Sequence, residues 1–355
     1  EVGFGRTRTY GEEGVYFVVF DYIEEKVGKY AAKAAFRIAQ AIIDGEKYNL
    51  EEDIQEMREI RQDEGLGPST ASIIAEAEAR NIPWMRLNRY SLCQLGYGAN
   101  QKRIQATVTS QTSSIGVELA CDKDDTKHLL EQAEVPIPNG DIIRTERGLK
   151  EVIEDIGYPI VIKPVNGNHG RGITTNINSL DEALIAFASA KEISRLVIVE
   201  KYVVGEDFRI LVINNKMVAA AKRSPAHVIG DGKSTIKELI DKVNEDPRRG
   251  FGHEKVLTKI DINNLTLEIL KENDLTPESI IKSGEYVKLK NTANLSTGGT
   301  AEDVTDLVHP SNVFMAERIS KIIDLDICGI DIMAETLTKP IENTGGVVLE
   351  VNAGP

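Results

Sequence analysis

Apolar residues recur along this chain with two different periods, and the switches between them mark out its elements. "VYFVVFDYI" (15–23) is β-branched and aromatic at strand length, whereas "KYAAKAAFRIAQAIIDG" (29–45) repeats apolar residues at helical spacing and stops on a glycine. An acidic helix over 51–63 follows. "GPSTASIIAEAEARN" then places proline and serine at a helix start, and "IPWMRL" reads as a strand. "LCQLGYGANQKRIQATVTS" (92–110) sets two β-rich runs around a Gly-Tyr-Gly-Ala-Asn turn, which predicts a hairpin. Together these give a small α+β domain over residues 1–110. It carries no recognisable chemistry, and its arginines and tyrosines read as the solvated face of a scaffold or docking domain.

From about residue 111 the pattern changes character. "VELACDKDDTKHLLEQAEVPIPNG" predicts one helix that ends near Val135, followed by a Pro-x-Pro connection. "IGYPIVIKPVNGNHGRGI" sets Lys163 in a short apolar strand that runs into a loop (166–172) of glycines and asparagines. Small residues there, Gly167, Gly170 and Gly172 around His169, let backbone N–H groups approach an anion. Lys163 at the strand end and Lys123 at a helix start bring positive charge from two directions. "LVIVEKYVVGEDFRILVINNKMVAAAKR" (196–223) gives three apolar runs at strand length. Between the first two, Glu200 with the backbone of Lys201 and Val203 offers the acceptor and donor pair that an adenine edge requires. Asp207, just past Gly205, is suited to ribose hydroxyls. Taken alone, "EKYV" reads as an ordinary surface turn.

The carboxyl end carries the sharpest pattern. In "GIDIMAETLTKPIENTGGVVLEVNAGP" two β-rich runs flank a Pro-Asn-Gly-rich connection, and a hairpin closing near 338–343 sets Asp331 across from Glu350. Asn352 shares the face of Glu350, because residues two apart on a strand point the same way. Two carboxylates and an amide oxygen make a hard-oxygen set suited to Mg²⁺. The alternate positions Ile330, Ile332, Leu349 and Val351 are expected in the core; the competing reading points both carboxylates to solvent.

Composition limits the function classes. The chain of 355 residues has room for two or three cores, and its net charge of −14 argues against a nucleic-acid surface. Three widely spaced cysteines, Cys93, Cys121 and Cys328, show no metal-ligand spacing and suit a reducing compartment. With no apolar run long enough to cross a bilayer, no membrane contact and a cytoplasmic location are expected. "GDGKST" (230–235) looks like the tail of a phosphate-binding loop. His227 stands where that motif needs its first glycine, however, and the lead-in "KRSPAHVI" contains a proline, so the stretch reads as a turn and helix start.

The ordered set Lys123, Lys163 with its loop, "EKYV", Asp207, "GIDIM" and "LEVNA" resembles the ATP-grasp superfamily over residues 111–355. "VGFGRTRTYGEEGVY", "LGPSTASIIAEAEARNIPWMRL", "QLGYGANQKRIQATVTSQTSSIGVELACDK", "RSPAHVIGDGKSTIKELI" and "NTANLSTGGTAEDVTD" further resemble the cyanophycin synthetase family. The resemblance implies an α+β fold in which two α+β subdomains clasp ATP. A small N-terminal α+β domain, a scaffold or polymer-docking unit, precedes them. It implies ATP and Mg²⁺ as cofactors, cyanophycin primer and L-aspartate as partners, and a homo-oligomer. The implied reaction activates the C-terminal carboxylate of the poly-aspartate backbone as an acyl phosphate and adds L-aspartate. Within it Asp331, Glu350 and Asn352 hold the metal, and Lys123, Lys163 and the loop hold phosphate. "NLSTGG" (Asn294, Ser296, Thr297, Gly298 and Gly299) offers hydroxyls and N–H groups to the anionic chain end, or is a flexible turn.

Two departures from the resembling families stand out. D-alanine-D-alanine ligase has an arginine two residues before the metal aspartate, where this chain has Gly329. Arg209 and Arg223 are therefore the candidates, with Lys163, for meeting charge on the transferred phosphoryl group. The cyanophycin synthetase family also carries a C-terminal domain, similar to Mur ligases, that attaches arginine; nothing here corresponds to it, so the ligase domain is expected to be truncated. Two competing readings remain: the related synthetase that polymerises β-aspartyl-arginine dipeptides, and a non-catalytic ATP- or polymer-binding module.

Overall fold

The computed structural model describes residues 4–165, 172–252 and 255–354. Residues up to Gln101, with Gly252, form one compact unit, and residues from Lys102 onward form a second.

In the first unit a hairpin of β1 (Gly5–Thr9) and β2 (Tyr16–Phe20) sets Thr7 opposite Val18. Three helices follow: α1 (Glu25–Asp44), α2 (Leu50–Glu64) and α3 (Pro68–Ala79). α1 stops because Gly45 takes φ 70°, which turns the N–H groups of Gly45 and Glu46 back onto the carbonyls of Ile42 and Ala41. Asp53 of α2 is buried and accepts hydrogen bonds from Tyr30 Oη at 2.8 Å and Arg37 Nη2 at 2.5 Å, which ties α2 to α1. The short strands β3 (Trp84–Arg86) and β4 (Leu92–Leu95) pair antiparallel.

The second unit opens with the hairpin β5 (Lys102–Gln105) and β6 (Val108–Thr109), then α4 (Ser114–Cys121) and α5 (Lys123–Gln132). One continuous helix was expected here. The chain breaks it at Asp122, whose carboxylate accepts the N–H groups of Asp124 at 2.9 Å and Asp125 at 3.1 Å. Asp122 has φ −100° and ψ 110°, so it caps α5 rather than continuing α4, and Lys123 becomes the first helical residue.

Two α+β layers follow. β7 (Gly140–Ile143), α6 (Glu146–Ile156), β8 (Ile160–Pro164), β9 (Thr174–Ile177), α7 (Leu180–Ile193) and β10 (Val197–Lys201) make an antiparallel sheet of order β7-β10-β8-β9. Leu149 of α6 and Phe187 of α7 pack with Ile160, Ile162, Val197 and Val199 of the sheet. The next layer starts with β11 (Glu206–Ile213) and β12 (Lys216–Ser224).

Before that layer resumes, the chain builds a separate module from β13 (His227–Ile229), α8 (Ile236–Asn244), β14 (Arg249–Gly250), β15 (Leu257–Thr258), α9 (Asn264–Glu272) and β16 (Tyr286–Lys288). Val228, Ile236, Leu239, Ile240, Leu270 and Leu289 give it a core of its own. β17 (Thr300–Asp303), α10 (Pro310–Ile323), β18 (Ile327–Ala334) and β19 (Val347–Asn352) complete the layer, an antiparallel sheet of order β17-β12-β11-β18-β19. α10 covers it with Ile319 and Ile323 against Ile210, Val212, Ile330 and Ile332.

The β18–β19 register pairs Gly329 with Asn352, Ile330 with Val351 and Asp331 with Glu350. Between Asp331 and Ile332 the ladder bulges, and Ile332 pairs with Val348. The bulge corrects one expectation: Val348 is 1% exposed and takes the core position, whereas Leu349 is 39% exposed. One extra residue on β19 reverses the alternation beyond it.

Candidate active site

A cavity of about 270 Å³ opens in the second unit, lined by the start of α5, strands of the four-stranded sheet and β19. Lys123, Lys163, Glu200, Val203 and Glu350 line it, as does Leu349, which the bulge turns out of the core.

Charge in this cavity is organised around Glu200, which is 5% exposed. Its Oε2 lies 2.6 Å from Lys163 Nζ and its Oε1 lies 3.3 Å from Lys127 Nζ. Lys127 also donates to the Gly140 carbonyl at 3.2 Å. One carboxylate thus faces two ammonium groups. The side chains of Lys123 and Glu350 have no hydrogen bond or ion pair among the described residues, and both line the cavity. Sequence reading missed Lys127, although its place four residues after Lys123 on a helix was the signal that both share a face.

Lys201 is turned away. Its Nζ donates to the carbonyls of Ile156 (3.2 Å), Gly157 (3.4 Å) and Tyr158 (2.7 Å), and its backbone N–H is taken by the Asn139 carbonyl at 2.7 Å. Of the Lys201 backbone, only the carbonyl is therefore left for an adenine edge. Gly172 has φ 70°, a left-handed backbone that favours glycine, and a Cβ there would also press on the movable end of Ile193, 2.5 Å from its Cδ1. Gly167, His169 and Gly170 lie outside the described residues.

A second charged cluster sits on the five-stranded sheet. Arg209 is the cross-strand partner of Asp331, and its Nε and Nη2 reach the two carboxylate oxygens, the latter at 3.1 Å. Arg223 Nη2 approaches the same Asp331 at 3.2 Å and grips Asp207 at 2.5 Å, with Nε at 2.8 Å. Burial pushes the Asp207 carboxyl above its usual range, and Arg223 only partly offsets it. Burial also pulls on the Arg223 guanidinium, but Asp331 and Asp207 outweigh it and hold its pKa above the ordinary value. Asp207, expected at ribose hydroxyls, is held by Arg223, its direct cross-strand partner on β12.

Asp331, Glu350 and Asn352 are the residues whose chemistry could suit a hard cation. Asn352 Nδ2 is buried without a hydrogen-bond partner, on the side of β19 that carries Glu350. Turning the amide over presents its oxygen there instead. Among the described residues no three His, Cys, Asp or Glu side chains gather as a metal site. Two carboxylates and one amide leave the remaining coordination positions to phosphate and water, the arrangement Mg²⁺ favours.

Two family models match the chain: a cyanophycin synthase-like N-terminal domain over residues 1–44 and a RimK-like ATP-grasp domain over residues 120–236. Cyanophycin synthetase of Trichormus variabilis is 51% identical over 100% of this chain, and that of Crocosphaera subtropica is 52% identical over 100%. The chain belongs to the cyanophycin synthetase family. It spans 40% and 41% of the length of these two relatives. A bifunctional glutathione synthetase from Pasteurella multocida superposes with a TM-score of 0.64 and 28% identity, covering 82% of this chain and 41% of that one. The fold is ATP-grasp, of α+β class.

Two loops of this cyanophycin synthetase family chain can be set against the sequence reading: the first departs from it, and the second is the turn and helix start it expected. The N–H groups of Thr297, Gly298 and Gly299 return to the carbonyls of Asn294 and Leu295 at 3.1–3.2 Å, so "NLSTGG" has no row of free donors for an anion. Thr297 Oγ1 also turns inward onto Asn294, which leaves Ser296 as the exposed hydroxyl. The loop nevertheless abuts the arginine cluster, because Ser224, next to Arg223, pairs with Thr300. In "GDGKST", Asp231 accepts from the N–H groups of Lys233 (2.9 Å) and Ser234 (2.7 Å) and from Ser234 Oγ (2.8 Å). A side-chain carboxylate already sits where a phosphate would bind, and Thr235 with Glu238 closes the helix start as a capping box. Among the described residues no helix is long and apolar enough to cross a membrane.

Proposed function

We propose that this chain is the aspartate-adding ligase unit of cyanophycin synthesis, an ATP-dependent former of C–N bonds. A carboxylate is a poor electrophile, so the reaction must first give it a leaving group. An oxygen of the C-terminal carboxylate of the poly-aspartate backbone attacks the γ-phosphorus of ATP; the bond to the β-phosphate oxygen breaks, leaving ADP and an acyl phosphate. The amine of L-aspartate then adds its lone pair to the acyl carbon. Phosphate departs with the C–O electron pair, the nitrogen gives up a proton, and an amide remains.

In this reading Lys123 and Lys163 hold the phosphates, and the Lys201 carbonyl, Val203 and Leu349 meet the adenine. Arg209 and Arg223 meet charge on the transferred phosphoryl group. Asp331, Glu350 and Asn352 hold Mg²⁺, which when bound neutralises phosphate charge. The rest is positioning of two reactants in a water-poor cleft. Ser296 and the loop 294–299 lie toward the polymer end. Residues 1–110 serve as a scaffold or docking domain and 111–355 as the ligase domain, in a cytoplasmic homo-oligomer.

The observation that carries this reading is that Glu350 lines the same cavity as Lys123 and Lys163, with Asp331 across the ladder from Glu350. The deciding experiment measures ADP release with arginine-bearing poly-aspartate primer, with and without free L-aspartate. Aspartate-dependent turnover supports it. Turnover only with β-aspartyl-arginine dipeptide, or nucleotide binding without turnover, replaces it with one of the two competing readings.

A further inference from the structure

We propose that Lys127 is a positioning residue that lets Lys163 move from Glu200 onto a nucleotide phosphate; this rests on the ATP reading above. The structure shows Lys163 docked on a protein carboxylate, at 2.6 Å from Glu200 Oε2. A phosphate that claims Lys163 must draw it off that carboxylate. Glu200 is buried, and a buried carboxylate left without a cation is strongly unfavourable.

Lys127 removes that obstacle. It holds the other oxygen, Oε1, at 3.3 Å and is fixed by the Gly140 carbonyl at 3.2 Å. When Lys163 departs, Glu200 keeps one cation and stays charge-balanced. Lys127 and Lys123 are one turn apart on α5, so a single helix supplies both a lysine for the ligand and a lysine for the carboxylate the ligand displaces. Lys127 acts through Glu200 and is not itself expected to touch phosphate.

The consequence is specific to phosphate. Adenosine makes no demand on Lys163, so its affinity does not depend on how easily Lys163 leaves Glu200. The test compares ATP binding by calorimetry with adenosine binding by ligand-observed NMR, for the wild-type chain and its variants. In Lys127→Met the ratio of ATP to adenosine affinity falls by about tenfold or more, the scale set by stranding a buried charge. Lys127→Arg restores the ratio, since it replaces the cation. Adding Glu200→Gln to Lys127→Met recovers most of the loss, because no charge is then stranded.

An unchanged ratio in Lys127→Met, an equal loss of both ligands, or no recovery in the double variant overturns the role of Lys127. If the wild-type chain binds no ATP, the nucleotide reading itself falls, which is a separate result. Thermal midpoints of each variant identify any that fail to fold, and Lys127→Gln, which removes the charge with a smaller change of polarity, then replaces Lys127→Met in the comparison.

Discussion

Asp331 and Arg209 face each other across the β11–β18 ladder, and the guanidinium of Arg209 reaches both oxygens of the carboxylate. A carboxylate assigned to a metal is thus already compensated by a cation of the protein, with Arg223 at 3.2 Å as a second. Mg²⁺ arriving alone meets two positive charges; arriving with ATP, it brings phosphates that those arginines can bind. We therefore expect Mg²⁺ affinity to be at least about tenfold weaker without nucleotide than with it, as mutual screening of like charges requires. Calorimetric titration of Mg²⁺ with and without a non-hydrolysable ATP analogue checks this. Glu350→Gln, which leaves the Arg209–Asp331 pair intact, should keep its thermal midpoint and lose phosphoryl transfer. Near-normal turnover at saturating ATP and Mg²⁺ would remove Glu350 from the metal site.

Two lysines distinguish the two phosphate sites that the sequence suggests. Lys163→Met should weaken ATP binding by about tenfold or more, on the scale of a charge-assisted contact. Lys233→Met, in the stretch where Asp231 already occupies the anion position, should leave ATP affinity within about twofold, as for a surface substitution. The reverse pattern in a binding titration would move the nucleotide to residues 230–234.

Asp231 also makes a pH prediction. The N–H groups of Ser234 and Lys233 hold its carboxyl at about 2, below the ordinary 3.8. A depressed folded-state pKa means the ionised form stabilises the fold above the ordinary value, and this contribution is lost as pH falls through about 2. The stability difference between wild type and Asp231→Asn should therefore be constant above pH 4 and shrink below it, as about 4 is the unfolded carboxyl value. A carbon-13 titration of the Asp231 carboxyl with a midpoint near 4 would contradict the hydrogen-bonded turn.

Gly299 is a steric requirement. A Cβ there would lie 2.8 Å from both the Asn294 and Ser224 carbonyl oxygens, which are backbone atoms with little freedom to move. Gly299→Ala should destabilise the chain by about 1–3 kcal/mol, the usual range for forced overpacking. Denaturant unfolding measures this, and a loss under about 0.5 kcal/mol, as for an ordinary surface site, would show that the loop can move away from Ser224.

What the sequence determined by itself is local. The glycine stop after α1, the strand periods and the chemistry of the β18–β19 hairpin follow from residues a few positions apart, and hairpin arithmetic alone sets Asp331 across from Glu350. The break at Asp122 was also written locally, as an aspartate ahead of two free N–H groups, though helical periodicity ran straight through it. The tertiary structure decided the rest. Sheet order, which no periodicity encodes, brought Arg209 to Asp331, whereas the β11–β12 hairpin paired Arg223 with Asp207. A bulge of one residue moved Leu349 out of the core into the cavity. Lys127 and Glu200, 73 positions apart, met only because α5 lies beside β10. Pairings of this kind depend on which surfaces pack together, and burial of a charge is felt only once they have, so charge balance in the cavity was fixed by the fold and not by any motif.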